Sequence, residues 1–516
     1  MYIFKKRAVS VLLAALMFLV LLPAFPAATS AFSLTAIGTN TVSLTITQSD
    51  TEAAIGGIIN DLLKGENDSG NNSLMSEYNT VVVTGSKTDS SRHTILDIEA
   101  GKKVVWQAEY SDKDKPADVV SLGPGMINLQ PSGGTGIFEV AEGANIHTPS
   151  NACIHFGNAT VLVTGGILKG PSVLYSVDPE GRVEVSGGLI ESTSYGSIYN
   201  AKGDILVTGG TIKSDRFAIS SAGNMTVTGG RLEAGFRTIT TSHGSVTITG
   251  GEIMHTGAQG EAIYVNGYSS GITVSGGTII SENSTAISIK NNPLEYDEPE
   301  DAPPRTTGSL SVSGSAVIEG GFAGIVSVGG PVIVTGGAIT KTGTHDSSDS
   351  AAISLYEEAT AKITGGMVDG GSGPAIMALD SAAAYLESTC KGMGSPPFAS
   401  FYGCIVEVDT LLVPESRKGT SIGLTRVAGT GEAEWDNDSL VPLINFSKLG
   451  EDESITAVID WGRFRRIASS DPITSSSTNV VPKTGDDTNM FFWGIALALS
   501  IAGVCVLPIV KKRMSK

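Results

Sequence analysis

The sequence predicts an all-β solenoid, a parallel β-helix with coils of about 22 residues, and three observations predict it. A tetrapeptide Val/Ile-Thr/Ser-Gly-Gly recurs, with its first glycine at Gly165, Gly187, Gly209, Gly229, Gly250, Gly276, Gly336 and Gly365. With a degenerate copy included, Val312-Ser313-Gly314-Ser315, successive first glycines lie 22, 22, 20, 21, 26, 38, 22 and 29 residues apart. Apolar residues hold fixed places within each unit, and the chain is rich in glycine (64 of 516 residues) and poor in aromatics (6%). A stack with many tight corners suits that balance better than a compact helical domain.

Each unit reads as three short strands. Two residues before the Val/Ile stands another apolar residue: Val161, Val183, Ile205, Met225, Val246, Ile272, Leu310, Val332 or Ala361. The residue between them varies freely (Leu162, Glu184, Leu206, Thr226, Thr247, Thr273, Ser311, Ile333, Lys362), which is the period-two alternation of a strand with one face in and one out. Three residues past the first glycine comes Leu168, Ile190, Ile212, Leu232, Ile253, Ile279, Val317, Ile339 or Val368. A third apolar column follows: Ile154, Leu174, Ile198, Ile219, Ile239, Ile263, Ile287, Ile353 and Ile376. The glycine pair between the first two strands marks a corner where the backbone needs positive φ or close approach. Stacked coils pair equivalent strands at about 4.8 Å and align the apolar columns into one dry core.

Reading outward from the repeat sets the boundaries. Residues 1–31 carry Lys5, Lys6 and Arg7, an apolar stretch from Ala8 to Leu22, and small residues around Ala28 and Ala31, the three regions of a secretory signal peptide. Within 32–80, Ile55, Ile58, Ile59, Leu62 and Leu63 follow the candidate caps Ser49, Asp50 and Thr51 at helical spacing. They predict a short helix plugging the open end of the stack, weakened by Gly56 and Gly57. The solenoid is expected over 81–380, with Thr94–Ile98 and Gly136–Val140 as irregular early coils. Residues 381–468 lose the repeat but keep strand-like runs such as Cys404–Val408, and read as a cap or small β domain; 469–480 is a Ser/Thr spacer.

Residues 481–516 read as a sorting signal. Val481-Pro482-Lys483-Thr484-Gly485 precedes an uncharged apolar run, Phe491 to Val510, and then Lys511, Lys512, Arg513 and Lys516. Twenty helical residues at about 1.5 Å each cross a bilayer core of about 30 Å, and the basic tail stays on the cytoplasmic side. Together these pieces resemble the LPXTG-type sorting signal of Gram-positive surface proteins, with Val481 where that motif has Leu. The resemblance implies that a sortase opens the Thr484–Gly485 bond and joins the threonine carbonyl to peptidoglycan. It implies a protein outside the cell, anchored to the wall, touching the membrane only through its C-terminal segment before sorting. The repeat in turn resembles the right-handed parallel β-helix, or pectate-lyase-like, superfamily, from about Val161 to Ile376; that resemblance supplies the handedness.

The net charge is −18, and it becomes more negative once both terminal segments are removed. Such a surface excludes nucleic acid as a partner, because phosphate binding draws on Lys and Arg. The superfamily contains polysaccharide lyases and hydrolases, whose chemistry rests on clustered carboxylates. In the nine coils the outward position of the Val-x-Val strand holds one acid, Glu184. Lys290 in Ser288-Ile289-Lys290-Asn291 is similar to a fragment of the galacturonase pattern whose other members are missing. No catalytic residue and no metal ligand is assigned. Calcium is considered only for the acidic, proline-rich insertion 295–304, which reads more simply as a solvated loop. Cys153 falls in a packing slot, while Cys390 and Cys404 are near enough in sequence for a bridge that proximity does not establish.

The residue after the third apolar column points outward: His155, Tyr175, Tyr199, Ser220, Thr240, Tyr264, Ser288, Ser354 and Met377. Tyr175, Tyr199 and Tyr264 are candidate carbohydrate-binding residues, their rings to lie on sugar faces with Ser and Thr hydroxyls between. The first expectation is therefore a carbohydrate-binding or adhesin-like display module for a polysaccharide or host glycan. A polysaccharide lyase or glycoside hydrolase is the alternative, and an inert surface scaffold is the third reading.

Overall fold

The computed structural model describes residues 32–65, 77–112, 125–130, 135–150, 152–176, 181–200, 202–266, 271–290, 308–343, 350–371, 374–378 and 382, and from 383 to 467 the backbone of the strands. The leader 1–31, the insertion 295–304, Cys390, Cys404, the spacer and the sorting motif Val481 to Gly485 lie outside the described residues.

The described chain is all-β apart from one helix, and it is a solenoid-like stack of parallel strands in three rows. The first row holds the Val-x-Val strands, from Thr41–Ile46 through Val161, Val183, Ile205, Met225 and Val246 to Ile405–Val408. The second row holds the strands after the glycines, such as Thr211–Ser214 on Arg231–Ala234. The third runs from Thr94–Leu96 to Ser421–Thr425. Parallel pairing thus spans more of the chain than the 81–380 read from the repeat. Beyond it the strands turn antiparallel: Ile405–Val408 pairs with Thr456–Asp460, and Ser421–Thr425 with Val441–Asn445.

The inward columns are fully buried and join into a single apolar cluster running the length of the stack. Each buried Val, Leu or Ile contributes about 1.5–3 kcal/mol by leaving water, so the repeat sustains itself coil upon coil. At the degenerate copy the register differs from the expectation: Ile318, not Val317, is buried and pairs with Ile279. Only Gly314 remains of the glycine pair there, and Ser315 and Ala316 fill the corner, so one extra residue is used before the strand resumes. The third column also gains Ile325, in the 38-residue unit.

Gly210 shows why the corner demands glycine. Its φ is +76°, and a Cβ there would sit 2.5 Å from the Gly187 carbonyl oxygen of the previous coil. Gly210→Ala is expected to cost about 3 kcal/mol, combining left-handed strain with forced separation of two coils. Urea unfolding of the variant beside Gly57→Ala, where a Cβ meets nothing within 4 Å, checks this.

The helix, α1 (Glu52–Lys64), has Thr51 as N-cap, accepting from the Ala54 N–H, and Gly65 in the left-handed region as C-cap. Its apolar face, Ile55, Ile58, Ile59, Leu62 and Leu63, closes the N-terminal end of the core. Gly56 lets α1 approach closely: a Cβ there would lie 2.7 Å from the Ile95 carbonyl oxygen. The cap also satisfies strand edges. Glu52 accepts from the Ser91 N–H at 2.7 Å, Asn60 accepts from the Asp97 N–H at 2.9 Å and donates to the Ile95 carbonyl, and Gln48 accepts from the Thr88 N–H at 3.0 Å. Side chains thus stand in for the missing strands of the second and third rows.

One interior imidazole couples stability to pH. His255 is fully buried; its Nε2 donates to the Gln259 carbonyl at 2.9 Å and its Nδ1 accepts from the Ser281 hydroxyl at 2.9 Å. Burial holds its imidazole below the ordinary 6.5, and the Gln259 carbonyl offsets this only in part. Above 6.5 both folded and unfolded chains are neutral at this site and stability is full. As pH falls through 6.5 the unfolded chain takes the proton first, so stability declines. Denaturant midpoints at pH 7.5 and 5.5 are expected to differ less in His255→Gln.

Candidate functional site

The outward face of the third row carries the aromatic residues, and the register fixes their order. Asn128, His155, Tyr175, Tyr199, Ser220, Thr240, Tyr264 and Ser288 are successive partners along one column. Asn128 and Ser288 are buried, as are Ser354 and Met377 further on, so the column is open from His155 to Tyr264. At about 4.8 Å per coil that window is about 24 Å long.

Within it the three tyrosines behave differently. Tyr175 stacks on Tyr199 with centroids 5.1 Å apart and planes 18° apart, and His155 stacks on Tyr175 at 5.7 Å. The coil spacing imposes this ladder, and no sugar enters between its rungs. Burial pushes the His155 imidazole down, favouring its neutral form, and burial with the neighbouring Tyr199 pushes the Tyr175 phenol up. The rung after Tyr199 is Ser220, too small to cover the second ring face, and Tyr199 stays 39% exposed.

Tyr264 stands three rungs further on, about 14 Å from Tyr199. Its ring is covered by Arg237, whose guanidinium lies 3.6 Å from the centroid, with Lys290 Nζ at 5.8 Å. Burial pushes its phenol up, partly offset by Arg237. Arg237 also lies 4.8 Å over Phe236 and donates from Nε to Glu261 at 2.8 Å, so three contacts hold it in place. Beside it Phe217 meets Phe236 edge-on at 5.6 Å, with Arg216 over Phe217 at 5.1 Å.

The result is a slot. By register it spans the two rungs between Tyr199 and Tyr264, with Arg237 lying over Tyr264 at the far end and Phe217 meeting Phe236 alongside. Ser220 and Thr240 form the floor, half-exposed, and neither hydroxyl has a hydrogen-bond partner among the described residues. An aromatic face, two unengaged hydroxyls and a fixed guanidinium are what a polyhydroxylated ring needs to be stacked upon and hydrogen-bonded. The column reading brought Tyr175 and Tyr199 together and set Tyr264 apart. Arg237 and Phe217 escaped it because they lie two residues before Ile239 and Ile219, in a second outward column shared with Gly196 and Glu261.

The second row presents a different surface. Lys169 pairs with Glu191 at 2.9 Å, Lys213 with Glu233 at 3.2 Å, and Arg231 with Glu233 at 3.2 Å and Glu252 at 2.5 Å. These pairs, three across coils and Arg231–Glu233 within one strand, contribute about 0–1 kcal/mol each. Among the described residues no group of three or more His, Cys, Asp or Glu side chains is placed to hold a metal ion. Cys153 is buried against the Lys169 carbonyl, and burial, with Asp112 nearby, pushes its thiol well up, which disfavours the thiolate that nucleophilic chemistry needs. No family model, curated protein or solved structure matches this chain.

Proposed function

We propose that this is a wall-anchored surface protein of a Gram-positive bacterium whose stack, a right-handed parallel β-helix of about 22-residue coils, binds carbohydrate in the slot between Tyr199 and Arg237. The leader-like segment 1–31, the Val481-Pro482-Lys483-Thr484-Gly485 sequence and the apolar and basic segments after it support secretion followed by sortase attachment to peptidoglycan. The observation that carries the binding role is the pair of half-exposed hydroxyl rungs, Ser220 and Thr240, set between the aromatic rungs Tyr199 and Tyr264 on one outward column. A polysaccharide or host glycan is the ligand: one pyranose lies on Tyr199 with its hydroxyls on Ser220, Thr240 and the Arg237 guanidinium. Tyr264 serves by holding Arg237, and Tyr175 by backing Tyr199.

A glycan-array screen of the secreted chain, with and without Ca²⁺ and followed by product analysis, tests this. The expected result is binding without shortened or unsaturated products, weakened roughly 30-fold in Tyr199→Ala, since truncating a central aromatic anchor costs about 2 kcal/mol. Depolymerisation of a bound polysaccharide would replace the binding module with an enzyme, and no binding at all would leave an inert display scaffold.

A further inference from the structure

The N-terminal end of the stack treats its three rows unequally. The first strands of the second and third rows have their outer edges met by Gln48, Glu52 and Asn60, as described above. The first row is extended instead by an antiparallel strand, β1 (Ser33–Gly38), which pairs with Thr41–Ile46 on one side only among the described residues. The helix packs chiefly on Thr80–Ser90 and Thr94–Leu96, and within β1 only Leu34 is part-buried against the core. Five of the six β1 residues are exposed, and Ile37, at 58%, is the most exposed large hydrophobic side chain of the described residues.

Open strand edges in natural proteins are guarded by charges, especially Lys, or by proline, because bare N–H and C=O groups recruit another strand. Here there is neither. From Phe32 to Ser49 no residue is charged and none is proline, in a chain of net charge −18. A partner with strong charge of either sign gains nothing at such an edge. A second copy of this chain is equally uncharged there, so two copies meet at β1 without the repulsion their acidic surfaces impose elsewhere. A two-fold axis through β1 makes the contact self-complementary and closed.

We propose that β1 pairs antiparallel with β1 of a second copy, joining two stacks at their N-terminal ends. The bulge between Ala36 and Gly38 limits the pairing to a few residues. The interface is therefore smaller than the roughly 1,200–2,000 Å² of stable complexes, and association in solution is weak. On a chain anchored through its C-terminal end, as proposed above, β1 lies at the opposite end of the stack from the anchor. Many copies displayed on facing surfaces then add their weak contacts into avidity.

The test is light scattering with size exclusion on the secreted chain beginning at residue 32, with no glycan present, so the result is independent of the carbohydrate screen. The expected result is concentration-dependent dimerisation at about 10–100 μM, weakened at least tenfold in both Thr35→Lys and Ile37→Lys with unchanged circular dichroism and melting temperature. Introducing Thr35→Cys at the strand centre is expected to give a disulfide-linked dimer under mild oxidation. A chain that stays monomeric over that range overturns the proposal, as does dimerisation untouched by both lysine variants.

Discussion

Trp106→Ala is expected to lower the stability of the N-terminal coils by about 3–5 kcal/mol, the cost of emptying a large buried aromatic site. Trp106 is fully buried, meets Tyr110 edge-on at 5.3 Å, and has Phe138 of the next coil at 6.0 Å. Tyr110 in turn hydrogen-bonds Thr94 at 2.6 Å and Ser90 at 3.3 Å, so the aromatic cluster ties all three rows together just below the cap. A solenoid has only neighbour contacts to share a loss among. The damage is therefore expected to stay local, with faster amide exchange from Val81 to Ile146 and nearly native protection around Ile239. Trp106→Phe separates packing from polarity: the buried indole Nε1 has no hydrogen-bond partner among the described residues, so replacing it removes an unsatisfied donor along with some volume. Its cost is expected to be under about 1.5 kcal/mol. Equal losses in both variants would show that the site is read by shape alone.

The contrast between this cluster and the coils beyond it explains what was legible in the sequence. From Val161 onward, the same residue types recur at the same places because each coil must match the one beneath it, so the columns and the corner glycines could be read in one dimension. Trp106, Tyr110 and Phe138 occupy early coils where no tetrapeptide repeats, and their meeting depends on pairing that spacing does not reveal. The helix was legible from Ile55, Ile58, Ile59, Leu62 and Leu63. What Gly56 does was not, since it answers to a carbonyl on Ile95. At the candidate site the outward column was legible, but the availability of each ring was not. Tyr264 loses its free face to Arg237, a residue 27 positions earlier that two intervening strands bring alongside it. The register slip at Ile318 has the same origin: a missing glycine changes how many residues a corner uses, and only pairing with Ile279 shows the count.

Ser220→Tyr is expected to abolish carbohydrate binding while leaving the fold intact. The substitution lies on the outward face, in a column where Tyr is already accepted at the two preceding rungs. Its ring would stack on Tyr199 much as Tyr199 stacks on Tyr175 at 5.1 Å, extending the ladder by one rung and contributing about 0.5–1.5 kcal/mol. The same ring would cover the free face of Tyr199 and fill the floor of the slot. Stability is thus expected to rise slightly as affinity falls at least 30-fold, equivalent to about 2 kcal/mol. Few other changes separate the two so cleanly: Tyr199→Ala removes a ring from the ladder as well as from the ligand, and Arg237→Ala releases Glu261, Phe236 and Tyr264 together. Thr240→Ala provides the graded companion, expected to weaken binding by about 1 kcal/mol through loss of one hydroxyl contact. Unchanged binding by Ser220→Tyr, measured by calorimetry on any glycan the array identifies, would mean that the ligand lies along the ladder's edge at His155 and Tyr175 and never enters the slot. The geometry sets the two sites apart: the edge is continuous across three stacked rungs and suits any flat polymer, whereas the slot admits one ring and reads its hydroxyls.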